Sequence, residues 1–308
     1  MMNKILRFLL NLIKKINNES FVSLKLMIGQ SAVLSSRASS SKFTNLWDAE
    51  VKVFSQWGED GILDFICETL KMSKPKFVEI GAGNFNECNS RFLAESRNAS
   101  VVAIDARTDL VTEVKKMTVF WKTHIFPICE IVTPDNINDL LVFARDKMAG
   151  IDILSLDIDG NDYWVLDAAN LDKISVVVVE YNSLFGYSAE VSVPRDDLFN
   201  RKEKHFSCLY YGASLSAFIY SLSLKGFTFL GSNRACNNAF FIKNEKINEF
   251  SIEIPTNLEL FVDSRVRESR DTSGSLSFLS GKDRLRVIER MPVTNVKSNT
   301  QTTLSEIS

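Results

Sequence analysis

Histidine is nearly absent from this chain: two residues, His124 and His205, among 308. The five cysteines, Cys67, Cys88, Cys129, Cys208 and Cys236, form no CxxC and keep no regular spacing. Nothing in the sequence therefore resembles a structural zinc site. An odd, scattered set of thiols fits a reducing, cytoplasmic compartment. No run of about twenty apolar residues occurs, which argues against a transmembrane helix. A formal charge of -2 gives no general reason to expect nucleic acid, which requires a clearly basic face. What remains, 45% apolar and 24% charged residues, is the composition of an ordinary globular protein large enough to bury a sizeable core.

Four regions follow from the patterning. Residues 1–18 read as an amphipathic helix, with Ile5, Leu6, Leu9, Leu12, Ile13 and Ile16 on one face and Lys4, Arg7, Lys14 and Lys15 largely opposite. Such a helix could lie on an anionic membrane at its inner face or dock on the protein itself. Arg7 interrupts the apolar run and no clear cleavage site follows, so a secretory signal is not expected. Residues 19–50 read as a lead-in whose polar tract SSRASSSK forms a linker or loop. Residues 51–250 form the main domain, and residues 251–308 an extension with a disordered end.

Within the main domain, strand and helix patterns alternate. KFVEIGAG, SVVAIDA, residues 123–129, IDILSLD and ISVVVVEYN are strands, and FTFLG with NAFFIKN a final pair. Helices are expected over 59–70, 86–96 and 109–117, and from Pro134 to about 147 behind a Thr133 cap. Such alternation implies a largely parallel sheet covered on both faces. Residues 182–211 show no periodicity, which is long for a passive connection.

Ligands of an open parallel sheet bind beyond the carboxyl ends of its strands. The first strand ends in EIGAGNFNE, where Gly81 and Gly83 allow a tight turn and close approach of the backbone. The second ends at Asp105, which suits hydrogen bonds to ribose hydroxyls. Two cofactors fit that frame. A nicotinamide dinucleotide usually requires GxGxxG, but the position of the third glycine is Asn86, and Glu87 stands where pyrophosphate would approach. S-adenosylmethionine carries a sulfonium and no phosphate, so Glu79, Glu87, Asp105, Asp157 and Asp159 cost it less. A turn with no ligand role is the remaining reading of the glycines.

The stretch IDILSLDIDGNDYWVLDA crowds Asp157, Asp159 and Asp162 behind a buried strand. Asp162 reads as a helix cap or first-turn acid; Asp157 faces the cleft. Asp157, Asp159 and Glu180 could hold a divalent cation, but the spacing lacks the later glutamate of a calcium loop, and the sequence does not favour a metal. Asp157, Glu180 or His205 could accept a proton from an attacking hydroxyl, although a surface position is the ordinary one for His205. Tyr187, Tyr210 and Tyr211 could stack on a sugar, and Asn237 and Asn238 could supply neutral hydrogen bonds.

FSQWGEDGI, FVEIGAGNFNECNSRFL, DILSLDIDGNDYWVLDA, VVVVEYN, YYGASLSAF and NNAFFIK together resemble the FkbM-type methyltransferases, over roughly residues 53–243. The resemblance implies an α/β, class I methyltransferase (Rossmann-like) fold: a three-layer sandwich on a mostly parallel seven-stranded sheet of order 3-2-1-4-5-7-6 with an antiparallel last strand. It implies methyl transfer from S-adenosyl-L-methionine, commonly to a hydroxyl of a sugar or surface-polysaccharide precursor. Carried onto this chain, its cofactor-binding positions are Glu79, Gly81, Gly83, Asp105 and Asp157. Asn84 and Phe85 depart from the usual residues after the glycines and predict a differently shaped turn. A small-molecule or glycan substrate is the expected partner. The competing readings are a scaffold that keeps the fold without turnover and an NAD-dependent oxidoreductase.

Overall fold

A computed structural model describes residues 2–307, with side chains from residue 19 onward. The apolar face read for residues 1–18 lies on side chains outside the described residues. Five parallel strands come first: β1 (Lys76–Ile80), β2 (Ser100–Asp105), β3 (Ile125–Cys129), β4 (Ile153–Leu156) and β5 (Val176–Glu180). β6 (Val191–Ser192) stands apart, and β7 (Phe227–Ser232) and β8 (Asn238–Lys243) complete the sheet. Its order is β3-β2-β1-β4-β5-β8-β7, with β8 antiparallel to both neighbours. Counting only sheet strands, this is 3-2-1-4-5-7-6 with the last strand reversed, as in class I methyltransferases.

The strands are apolar on both pleats because helices cover both faces. One face packs against α1 (Met2–Ser39), α2 (Glu59–Thr69), α3 (Arg91–Arg97), α4 (Leu110–Lys116) and α5 (Thr118–Lys122) through Val33, Ile62, Ile66, Phe92, Leu110 and Val119. The other meets α6 (Ile137–Met148), α7 (Asp162–Ala168) and, past the short α8 (Arg201–Lys204), α9 (Leu215–Leu224), through Leu141, Leu166, Phe218 and Leu222. No helix among the described residues is long and apolar enough to cross a membrane.

Two regions depart from the sequence reading. The tract SSRASSSK is no linker up to Ser39: it continues α1. Arg37 grips buried Asp64 through two bonds of 2.7 and 2.6 Å, Val33 is buried, and Gly29 lets the helix press on Val53, whose methyl would sit 2.5 Å from an added Cβ. The extension is not disordered either. α10 (Lys282–Ile288) leads into β9 (Pro292–Asn295) and β10 (Thr300–Thr303), a hairpin that pairs with β6 in a three-stranded sheet. Ile288, Val293 and Leu304 bury themselves there with Val191, Leu209 and Tyr210. The mixed polar and apolar sequence of this hairpin hides the alternation that marks a longer strand.

Two helix starts also shift. α3 begins at Arg91 rather than near 86, because Glu79 captures the amides of Asn89 and Ser90 in a loop. α6 begins at Ile137, where the Thr133 carbonyl accepts the Asn136 and Ile137 amides and the Thr133 side chain makes no cap.

Candidate active site

Pleat parity builds the site. Phe77, Val101, Ile153 and Val178 point to the α1–α5 face, so Glu79, Asp105, Asp157 and Glu180, an even number of residues further along, point there too. At the strand ends Glu79, Asp105 and Asp157 meet a cleft of about 630 Å³, within the range of small-molecule sites. Seven of its lining side chains are carboxylates, from Glu79 to Asp197, and none is lysine, arginine or histidine.

The glycine turn forms its floor. Gly81 has φ +88°, and a Cβ there would overlap the Asp157 carbonyl oxygen, so β1 and β4 approach as closely as backbone allows. Gly83 differs: its φ is +57°, its missing Cβ points into open space, and its amide donates to Asp105 Oδ2 at 2.7 Å. Asp105 Oδ1 accepts the Arg107 amide at 2.9 Å, and each oxygen keeps a lone pair for a ligand. Phe85 closes the turn at φ +66° with its ring fully buried.

The two most distinctive motifs brace this floor. In FSQWGEDGI, Asp60 accepts three amides, of Val53, Phe54 and Ser55, and the Ser55 hydroxyl, at 2.7–2.8 Å. Burial still pushes its carboxyl up to about 6 against those bonds. Glu59 accepts from Asn233 and Asn238 at 2.6 and 2.9 Å, tying α2 to the end of β8. In DIDGNDYW, Asp162 accepts the Ile158 and Gly160 amides at 2.8 Å, which makes it the first-turn acid of α7. Asn161 bonds the Asp196 backbone, Trp164 Nε1 donates to the Val193 carbonyl at 2.8 Å, and Gly160 lies flat on Phe199. The unpatterned segment 182–211 is thereby held as a wall, and Asp197, Leu198, Phe199 and Asn200 face the cleft.

Asp157, Asp159 and Glu180 each bring a carboxylate oxygen within 4.8 Å of the others. Burial, then the charges of Asp159 and Asp162, push the Asp157 carboxyl well above its usual range. Burial, then Asp157, does the same to Glu180, while Arg201 opposes both. Two carboxyls so placed repel each other when both are charged, and a shared proton or a cation relieves that repulsion.

Of the expected site residues, Glu79, Gly81, Gly83, Asp105, Asp157 and Asp159 line the cleft, and Glu180 sits behind Asp157. Glu79 is spent on Asn89 and Ser90, so it shapes the site before it binds anything. His205 is not part of the lining; its Nδ1 pairs with the Ser207 hydroxyl at 2.8 Å and its ring packs on Phe206. Tyr210 and Tyr211 are buried: one bonds the Pro292 carbonyl and the other lies under the Arg201 guanidinium at 4.0 Å. Asn238 lines the cleft and Asn237 is buried beneath it, bonded to Asn233. Sequence reasoning missed Gln56, Glu130 and Arg201. Glu130 was findable as the residue after the third strand; Arg201, in a stretch without periodicity, was not.

A scan against protein-family models finds none that matches, and no curated protein matches the chain. Solved structures give distant likenesses. The CurJ carbon methyltransferase is 11% identical over 61% of this chain and 55% of its own, with a TM-score of 0.36. EvdMO1 is 12% identical over 67% and 45%, at 0.37. TrmK of M. capricolum, in complex with S-adenosyl-homocysteine, is 13% identical over 63% and 71%, at 0.31. This chain spans about half the length of the first two. At these identities and scores the likeness says nothing of activity, and the fold is read from strand order and direction.

Proposed function

We propose that the chain is an S-adenosylmethionine-dependent methyltransferase acting on a hydroxyl of a sugar or surface-polysaccharide precursor. The observation that carries the cofactor is the cleft's lining: seven carboxylates and no basic side chain around a glycine turn. That surroundings attract a sulfonium and repel a pyrophosphate. The residues fit the nucleoside, since Gly83 leaves open space where a side chain would stand and Asp105 keeps acceptor capacity at the end of β2. The saccharide acceptor rests on the FkbM-type motifs alone.

Bound adenosylmethionine would supply a methyl group activated by its sulfonium. The chain's part is to exclude water beneath the 193–200 wall, to place the acceptor oxygen in line with the methyl, and to take its proton on a carboxylate of the cleft. The acceptor hydroxyl would give its proton to that carboxylate as its oxygen took the methyl group from the sulfonium.

Thermal shift with adenosylmethionine, adenosylhomocysteine and NAD tests the cofactor. Stabilisation by the first two is expected. Stabilisation by NAD alone overturns the reading, and no shift with any of them favours a scaffold.

A further inference from the structure

We propose that Asp157, Asp159 and Glu180 form a binding site for a hard divalent cation. The sequence spacing fails as a calcium loop because no glutamate follows at the required interval. The fold supplies that glutamate from elsewhere: Glu180 arrives from β5, beside the end of β4, and its oxygen joins those of Asp157 and Asp159 within 4.8 Å.

An acidic cluster alone would not point to an ion. Here two buried oxygens do. Glu180 is only 8% exposed, yet its Oε2 has no hydrogen-bond partner. Asn238 stands opposite Glu180 in the β5–β8 register, is 4% exposed and lines the same cleft, and its Oδ1 is equally without a partner. Buried oxygens are ordinarily satisfied, so a pair of orphans at one place marks a missing ligand. Both are acceptors, which a cation satisfies and an anion does not.

The neighbouring charges leave room for that cation. Asp162 has both oxygens on backbone amides. Arg201 holds Asp159 Oδ1 at 2.6 Å and leaves Oδ2 available. One guanidinium against three clustered carboxylates leaves the cluster negative. The donors are all oxygen, which selects hard ions over zinc or copper.

The test titrates chelator-treated full-length protein with calcium chloride and, separately, magnesium chloride in a calorimeter, with thermal shift alongside. Saturable binding of one of the two ions at one per chain is expected. Asp159→Asn, at an exposed position, and Glu180→Gln should each weaken that binding at least tenfold, with folding checked by circular dichroism. Heats no larger than dilution for both ions overturn the site, as does cation binding unchanged in Asp159→Asn. Adenosylhomocysteine affinity, measured on the same protein without added cation, separates this site from the methyltransferase reading. Intact nucleoside binding with no cation binding removes the cation site alone, and the reverse removes the cofactor assignment alone.

Discussion

Gly81 and Gly83 stand two residues apart with opposite constraints, and substitution separates them. Gly81→Ala drives a methyl into the Asp157 carbonyl, so it should cost more than about 3 kcal/mol in denaturant unfolding. Gly83→Ala meets open space and should cost only the left-handed conformation, about 1–2 kcal/mol, while its methyl invades the ligand's room and weakens adenosylhomocysteine binding. Asp105→Ala should weaken that binding by about 1–3 kcal/mol, and calorimetry showing unchanged affinity would place the cofactor elsewhere. The sign of the Glu180 effect follows from its raised pKa: folded Glu180 holds its proton more tightly than unfolded, so stability is gained at low pH and lost as pH rises through the raised value. In chelator-treated protein the melting temperature should therefore fall from pH 5 to pH 8, and less so in Glu180→Gln. His205, its pKa lowered by burial, tilts the other way in both proteins and cancels in the comparison. At this scale the sequence was informative where backbone demands a residue type, as at the two glycines, or where a buried strand ends in an acid. It was silent on which hydrogen bonds consume each carboxylate, so Glu79 reads as a ligand residue although its oxygens hold a loop.

Among elements, α1 is the one most misread. Its Ser-rich end has the composition of a loop, but Asp64 draws Arg37 and Arg97 onto itself, and that long-range contact outweighs local propensity. Arg97 is the more enclosed partner, so Arg97→Ala should destabilise by about 3–5 kcal/mol, leaving a buried carboxylate undercompensated, and Arg37→Ala by less. The outer face of α1 exposes Phe21, Leu24, Met27 and Ile28, which prolongs the apolar pattern of the preceding basic segment. Contact with an anionic bilayer is the expectation for this helix. Co-sedimentation with vesicles containing phosphatidylglycerol should drop in a Phe21→Ser, Ile28→Ser double variant, and equal pelleting with neutral vesicles alone removes the expectation.

For the molecule as a whole, the main sheet was legible because buried parallel strands announce themselves in runs such as VVVV. The cleft's outer wall was not. Its strand β6 has two residues, and its partners β9 and β10 lie far along the chain, so no local window contains the pattern that folds it. Truncation after residue 280 should leave the seven-stranded sheet cooperative, lower the melting temperature, and open the 185–211 segment to protease, since Val191, Leu209 and Tyr210 lose their cover. Limited proteolysis with mass mapping reads this directly; cleavage elsewhere first would show that the hairpin does not secure the wall.

The pairing of β6 with β9 also sets an order of events during synthesis. A ribosome delivers the acidic strand ends and the glycine turn well before the hairpin that must buttress their roof. Val191, Leu209 and Tyr210 therefore wait for their apolar cover until the end of the chain has emerged.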